Sequence, residues 1–486
     1  MKFWQIIFYR FVKTHKTTNM KKAFIILLIF CFSCNKSENL PNVILILTDD
    51  LGYNDVGFNG STEIFTPNID GIAKNGVLFS EGYVSYPVCG PSRAGLITGR
   101  YQDTFGFGKN PLFTPKDPNM GLPLTEQTMA DMLKLSDYRT FAVGKWHLGA
   151  HESLRPLKRG FDEFFGFLTG GHRYFPEEWT LADETEVKSQ NQAYRTKLLR
   201  NEERIEEKEY LTDALSRESV DFIDRNSENP FFIYLAYNAP HGPLQATQKY
   251  LDRYDHIKQK DRKTYAAMVS AVDDGVGNII NKLKEKGIYD NTIIYFLSDN
   301  GGRLRGDSDN GELRGKKGNL FEGGIRVPFA MQWPKEIKGG QVFDSPIISL
   351  DIFATLKELT SPEIKPKNEL HGVNLIPFLK GDNKNDPHEF LFWRNNFMQN
   401  DPKLRIEGSA VRSGDFKFIK NKETDALYNL RDEISEQTNL KSEKNNIYDS
   451  LNFKFKKWSS TLMDPMFYGL LANDEYNKLN PDRFTY

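Results

Sequence analysis

A lone cysteine motif, two acidic pairs and a short set of basic residues are the parts of this chain whose types and spacing could do chemistry. The run Cys89-Gly90-Pro91-Ser92-Arg93-Ala94-Gly95-Leu96-Ile97-Thr98-Gly99-Arg100 sets a cysteine just before an expected helix start, with an arginine four residues on. Asp49-Asp50 and Asp299-Asn300 each follow an apolar stretch. Adjacent carboxylates repel unless a cation neutralises them, and an all-oxygen donor set suits Ca²⁺ or Mg²⁺ better than zinc. Either pair alone serves equally as a loop or helix cap; their recurrence after similar apolar runs favours one shared cation site. In Gly144-Lys145-Trp146-His147-Leu148-Gly149, lysine and histidine lie two apart. On an extended segment they point the same way and could reach one oxyanion. His241 sits in Ala239-Pro240-His241-Gly242-Pro243, a tight loop suited to fixing a side chain, and Lys317 lies in a glycine-rich stretch beside Lys316.

These groups need elements to hold them. Val43–Leu47, Thr140–Val143, Phe231–Ala236 and Thr292–Leu297 are continuous apolar runs of strand length, each ending in polar residues. Unbroken runs of this kind mark strands buried on both faces, as in a parallel sheet covered by helices. Ligands of such open α/β sheets sit beyond the carboxyl ends of the strands. That rule alone gathers Asp49, Asp50, Lys145, His147, His241, Asp299 and Asn300 onto one edge. Helical periodicity predicts helices over Thr125–Leu135, capped by Thr125, over Leu211–Asn226 and over Lys263–Lys286. The charged stretch Asp183–Glu209 reads as a solvated excursion outside the core. Around Pro362–Asn374 the texture shifts to Pro, Lys, Asn and Gly. Short strands are expected beyond it at Phe390–Trp393, Ser409–Arg412, Phe416–Ile419 and Ala426–Leu430, with a hairpin turn at Ser413-Gly414-Asp415 and a helix from about Asn446 to Leu462. The expected fold is α/β: a large mixed, mainly parallel sheet sandwiched by helices over residues 41–370. A smaller C-terminal α+β domain with an antiparallel sheet over 371–486 completes the cleft.

With 64 basic and 65 acidic residues, the net charge of −1 gives no global field for nucleic acid or a membrane surface. Residues 1–34 read as a signal region. Lys21-Lys22 precede an apolar run that ends in Ser33-Cys34, shorter than the roughly 20 residues a spanning helix needs. Met20 is the natural start of such a signal. Cys34 fits a lipid-anchor site, so export to the periplasm or the outer membrane as a lipoprotein is expected, with membrane contact only through that anchor. The chain has three cysteines, and Cys31 and Cys34 belong to the signal. Cys89 is then unpaired in the exported body, which marks it as a reactive candidate.

The Cys89–Arg100 run resembles the type I sulfatase signature, C-x-P-S-R with a closing leucine-threonine-glycine-arginine; Ile97 replaces the usual leucine. Gly144–Gly149 is similar to the second signature of that family, which belongs to the alkaline phosphatase superfamily. Leu313–Gly318, Glu322–Pro328 and Leu427–Asp432 with Glu436–Leu440 resemble its later motifs. The resemblance implies that a maturation enzyme oxidises Cys89 to formylglycine before folding. It implies Asp49, Asp50, Asp299, Asn300 and the modified Cys89 as ligands of Ca²⁺, with Mg²⁺ as the alternative. Arg93, Lys145, His147, His241 and Lys317 are implied as catalytic, with Lys316 the other register for the last. Hydrolysis of sulfate esters follows, on a sulfated oligo- or polysaccharide such as ulvan, carrageenan, fucoidan or a glycosaminoglycan. His172, Arg173, Trp393 and Arg394 are candidate sugar contacts. A phosphodiester or phosphonate hydrolase of the same superfamily and a non-catalytic glycan-binding lipoprotein are the alternatives.

Overall fold

Apolar runs flanked on both faces by helices can hydrogen-bond only to one another, and they do so here in register. The computed structural model describes residues 40–303, 305, 307–395 and 408–485; Met20, Cys31, Cys34 and the rest of the signal region lie outside them. Ten strands form the main sheet, in the order 341–343, 77–79, 329–332, 292–298, 42–48, 231–236, 139–145, 163–167, 198–200, 203–205. Strands 292–298, 42–48, 231–236, 139–145 and 163–167 run parallel, and antiparallel pairings begin on either side of them. Every residue of Asn42–Thr48, Phe231–Ala236 and Thr292–Ser298 is buried, as continuous apolar runs require. One helical layer includes Leu211–Asn226 and Lys260–Glu285, whose apolar stripes share a core with the central strands. Among the described residues, no helix is long and apolar enough to cross a membrane.

Two expectations need correction. The helix expected from Thr125 is Met129–Lys134, and its cap is Thr128, which forms a reciprocal capping box with Asp131. Thr128 leads because its partner carboxylate stands three residues on, the spacing a capping box needs. The stretch 183–209 is not wholly outside the core. Leu198–Arg200 and Glu203–Ile205 extend the main sheet, and Leu198 and Leu199 are buried.

The C-terminal strands Leu391–Asn395, Gly408–Ser413, Phe416–Asn421 and Asp425–Asn429 make a four-stranded antiparallel sheet. Gly414 supplies the positive φ of the tight turn, as its place in the hairpin required. Helix Asn445–Ser459 covers one face. The other face packs on Tyr83, Ile325 and Ile348, so residues 41–486 form one compact unit. A buried ion cluster pins this contact: Lys417 Nζ lies 2.7 Å from Glu322 and 2.9 Å from Glu436, all three side chains closed to solvent. Glu322 begins the short helix that closes the loop carrying Lys317. Replacing Lys417 with methionine leaves two carboxylates buried and facing each other. The Lys417→Met protein should lose about 3–5 kcal/mol of stability, the usual cost of breaking a buried pair. Chemical denaturation should show a lowered midpoint; an unchanged one would remove the cluster from the stabilising contacts.

Candidate active site

Strand register builds the floor of the site. Strands 42–48 and 292–298 pair with Leu47 opposite Leu297 and Thr48 opposite Ser298. The next residues therefore emerge side by side: Asp49 beside Asp299, and Asp50 beside Asn300. Backbone bonds carry the register past the strand ends, with Asp299 N–H donating to Thr48 O at 3.0 Å. Asp50 holds a left-handed φ of 66°, a strained conformation for a non-glycine residue that turns its carboxylate inward.

Three cations meet these carboxylates. Arg93, fully buried on the helix Cys89–Thr98, donates Nε to Asp299 at 2.8 Å and NH1 to the carbonyl of Lys145 at 3.2 Å. Lys145, the last residue of its strand, reaches Asp49 Oδ2 at 2.5 Å. Lys317 Nζ lies 2.6 Å from Asp50 Oδ1 and 3.9 Å from Cys89 Sγ. Lys316 instead gives its backbone N–H to Asn319 in the adjoining turn, so Lys317 is the residue in register with the site. His241 Nε2 stands 3.9 Å from Asp50 Oδ2, its other ring nitrogen on the carbonyl of Gly242. His147 takes a φ of 55°, and neither of its buried ring nitrogens has a hydrogen-bond partner.

Burial and charge tune these groups in opposite senses. Burial raises Asp50, yet Lys317, His241 and Asn300 outweigh it and hold the carboxyl well below its usual range. Asp299 is pushed up to about 6 by burial and by the facing Asp49, against the pull of Arg93. Burial, with Lys145 and Arg93 nearby, drives His147 far below the ordinary histidine value, so its ring is neutral. His241 falls to about 3 through burial, partly countered by Asp50.

The donor set fits a hard cation. Asp49 Oδ1 and Asn300 Oδ1 are buried and unpartnered, a costly state unless something positive completes them. Asp49, Cys89 and Asp299 offer ligand atoms within 4.8 Å of one another, as do Asp49, Asp50 and His241. A cavity of about 230 Å³ opens above, lined by Cys89, His147, His241 and Lys317 from the expected set.

The expected sugar contacts fare differently. His172 is fully buried, its ring nitrogens on the carbonyls of Arg173 and Thr196 and its face against Phe167, so it is a structural histidine. Trp393 is fully buried against Tyr83, with its N–H on Val84 O. Arg394 is spent inside the protein on Asp103 and the carbonyl of Met463. These three are corrected: satisfied buried side chains cannot also face a sugar. Arg173 keeps an accessible side chain 3.6 Å from Glu178, and its backbone N–H donates to the carbonyl of Tyr194, which lines the cavity. The cavity also takes Lys109, Asn110 and the stretch Gly469–Ala472, none expected from sequence. Residues 109 and 110 precede Pro111 in a glycine-flanked loop, but nothing in their spacing ties them to Cys89.

Comparison with known proteins agrees with this geometry. The sulfatase family model matches residues 41–362, and a model described as N-sulphoglucosamine sulphohydrolase, C-terminal, matches 315–461. The chain is 31% identical over 444 residues to steryl-sulfatase of Homo sapiens, covering 77% of this chain and 75% of that protein. It is 34% identical over 356 residues to N-acetylgalactosamine-6-sulfatase of Homo sapiens, covering 70% and 66%. The crystal structure of Ps i-CgsB in complex with k-i-k-neocarrahexaose superposes with a TM-score of 0.82 at 39% identity, covering 91% of this chain and 99% of that one. With its mainly parallel sheet, alkaline-phosphatase-like fold and convergent acidic and basic site, the chain belongs to the sulfatase family and is a sulfuric ester hydrolase.

Proposed function

We propose that this sulfatase removes sulfate from a sulfated galactan oligosaccharide of the carrageenan type, using a formylglycine at position 89 and Ca²⁺ held by Asp49, Asp50, Asp299 and Asn300. The observation that carries the chemistry is the buried carboxylate cluster, with two unpartnered oxygens, directly beside Cys89. The oligosaccharide bound by Ps i-CgsB supports the substrate class; ulvan has no such support.

In this reading a cation held by these residues would supply Lewis-acid stabilisation of sulfate, while an aldehyde hydrate at residue 89 supplies the attacking oxygen and later releases sulfate by re-forming its carbonyl. Sγ marks where that oxygen stands. The chain's own groups do the rest. Asp299, raised toward neutrality, accepts the proton of the attacking hydroxyl. Lys145 and Lys317, which reach Asp49 and Asp50, would turn to the sulfate oxygens with a cation held by the carboxylates, stabilising charge where it grows. His241, at the cavity wall, holds sulfate, and one of Lys145, Lys317 and His241 gives a proton to the sugar oxygen as its bond to sulfur breaks. His147, neutral and unpartnered, takes the proton of the second hydroxyl through a ring nitrogen as the sulfur–oxygen bond to residue 89 is retained and its carbon–oxygen bond breaks. Arg93 fixes Asp299 and the strand end at Lys145. Export through the signal region, with a lipid on Cys34, places the enzyme where such polysaccharides are met.

Three measurements test this. Protein made with a maturation enzyme should show a peptide across residues 83–93 lighter by about 18 Da, the covalent mark of cysteine converted to formylglycine, and should release sulfate from carrageenan oligosaccharides. Faster turnover of phosphate diesters than of any sulfate ester would transfer the assignment to the phosphonate and phosphate hydrolases. His147→Ala should lower kcat by roughly 10²- to 10⁴-fold, the usual worth of a general base, with less effect on KM; an unaltered kcat removes His147 from proton transfer. Added Ca²⁺ should stabilise metal-stripped protein by about 2.7 kcal/mol at a hundredfold excess over Kd, read as a raised thermal midpoint, and Asp49→Asn should abolish the rise. An equal rise in the variant would place the ion elsewhere.

A further inference from the structure

Cys89 is the first residue of its helix, where backbone N–H groups have no partner within the helix. The preceding residue, Val88, provides no side-chain cap. The cap comes instead from the loop carrying Asn110. Asn110 Oδ1 accepts the Gly90 N–H at 2.8 Å and lies 3.8 Å from Cys89 Sγ. An N–H can only donate, so the amide orientation is settled: its oxygen faces both the first helical turn and the atom at the head of residue 89. Glycine at 90 makes this approach possible. A Cβ there would stand 2.7 Å from Asn110 Oδ1 and 3.0 Å from Pro111 Cδ.

Asn110 is itself held from outside. It is nearly closed to solvent and lines the cavity. Next to it, Pro111 bridges antiparallel to Gly469, and Gly469 packs on the Lys109 side chain closely enough that a Cβ would stand 3.1 Å from it. Further along, Arg483 donates to Phe113 O at 3.0 and 3.2 Å, and Asp103 O accepts the Met463 N–H at 2.9 Å. The last residues of the chain therefore clamp the loop that carries this amide.

We propose that Asn110 is a positioning residue for the nucleophile: it caps the helix in place of Val88 and offers an acceptor to whatever stands on Cβ of residue 89. Unconverted, that group is the thiol. Converted, it is a hydroxyl of the hydrate, whose rotamer Asn110 selects by accepting its proton without removing it. The second half of this rests on the formylglycine reading; the first does not.

Two arms separate the inference from that reading. In protein made without a maturation enzyme, alkylation of Cys89 by iodoacetamide is followed by intact mass. Asn110→Ala removes the acceptor that favours the neutral thiol. It should speed alkylation by roughly three- to tenfold, because no accepting oxygen then holds the S–H in place. Asn110→Asp keeps the size and the acceptor for Gly90 but adds a negative charge beside sulfur, so it should be slower than the parent. In converted enzyme, Asn110→Ala should lower kcat by about 10- to 100-fold, the cost of misplacing a reacting group by a fraction of an ångström to one ångström. KM should hold within a factor of two and the conversion mass should stay at the parental value, while the thermal midpoint should fall modestly, as the loss of a helix cap requires. Alkylation that is unchanged in both variants, or shifted the same way in both, overturns the proposal, as does a full kcat in the alanine variant. A parent enzyme that releases no sulfate while the alkylation rates move in opposite directions would sink the sulfatase chemistry and leave Asn110 in its role.

Discussion

Everything at this site depends on burying three carboxylates together. Asp49, Asp50 and Asp299 leave adjacent parallel strands and are shut away from water. Isolated, each would be prohibitively expensive to ionise at that depth. The protein meets the demand with Arg93, Lys145 and Lys317, each drawn from a different element and each touching a different carboxylate. The helix bearing Arg93 must run beneath the strand ends, and the strand bearing Lys145 must stop level with them. The loop bearing Lys317 must fold back over the top. The fold is in that sense arranged around a charge balance, and two oxygens left without a partner mark where a cation would fit.

The part of this that was legible in the sequence is the part set by local pattern. Runs such as Val43–Leu47, of strand length and rich in β-branched residues, read as buried strands, and the polar residues after them then share one edge. The helix Leu211–Asn226 and the C-terminal strands show their periodicity openly, and the helix cap at Thr128 was missed only because Thr125 offered a similar signal. Side-chain facing at a distance was not legible. His172, Trp393 and Arg394 have the chemistry of sugar contacts, but their partners, Thr196 O, Val84 O and Asp103, lie 24 to 309 positions away in sequence. Spacing carries no trace of such pairings. The same blindness hid Asn110 and Gly469–Ala472, which reach the cavity only because distant segments bridge.

The site thus has two layers with different origins. The floor comes from strand ends, and its geometry is tied to sheet register; a slip of one residue would turn Asp49 and Asp299 to opposite faces. The wall comes from loops and the terminal segment, held by single bridges and by side chains such as Arg483 and Tyr476 on Phe113 O and Asp117. Change in residues 469–472 leaves the charge balance below untouched, whereas Lys317 and Asn110 tie their parts of the wall to the reaction. Substrate preference can therefore vary through residues 469–472 while the reaction stays constant.

The closure of the cavity by residues 469–472 also orders events in time. A ribosome delivers Cys89 long before the residues that wall it in, and the nascent segment around it is exposed until they arrive. With the terminal segment bridging Pro111, Cys89 is 2% exposed, beyond the reach of any macromolecule. A large partner acting on this cysteine would have to do so before residues 469–472 close over it, so the order in which those segments fold would set its window.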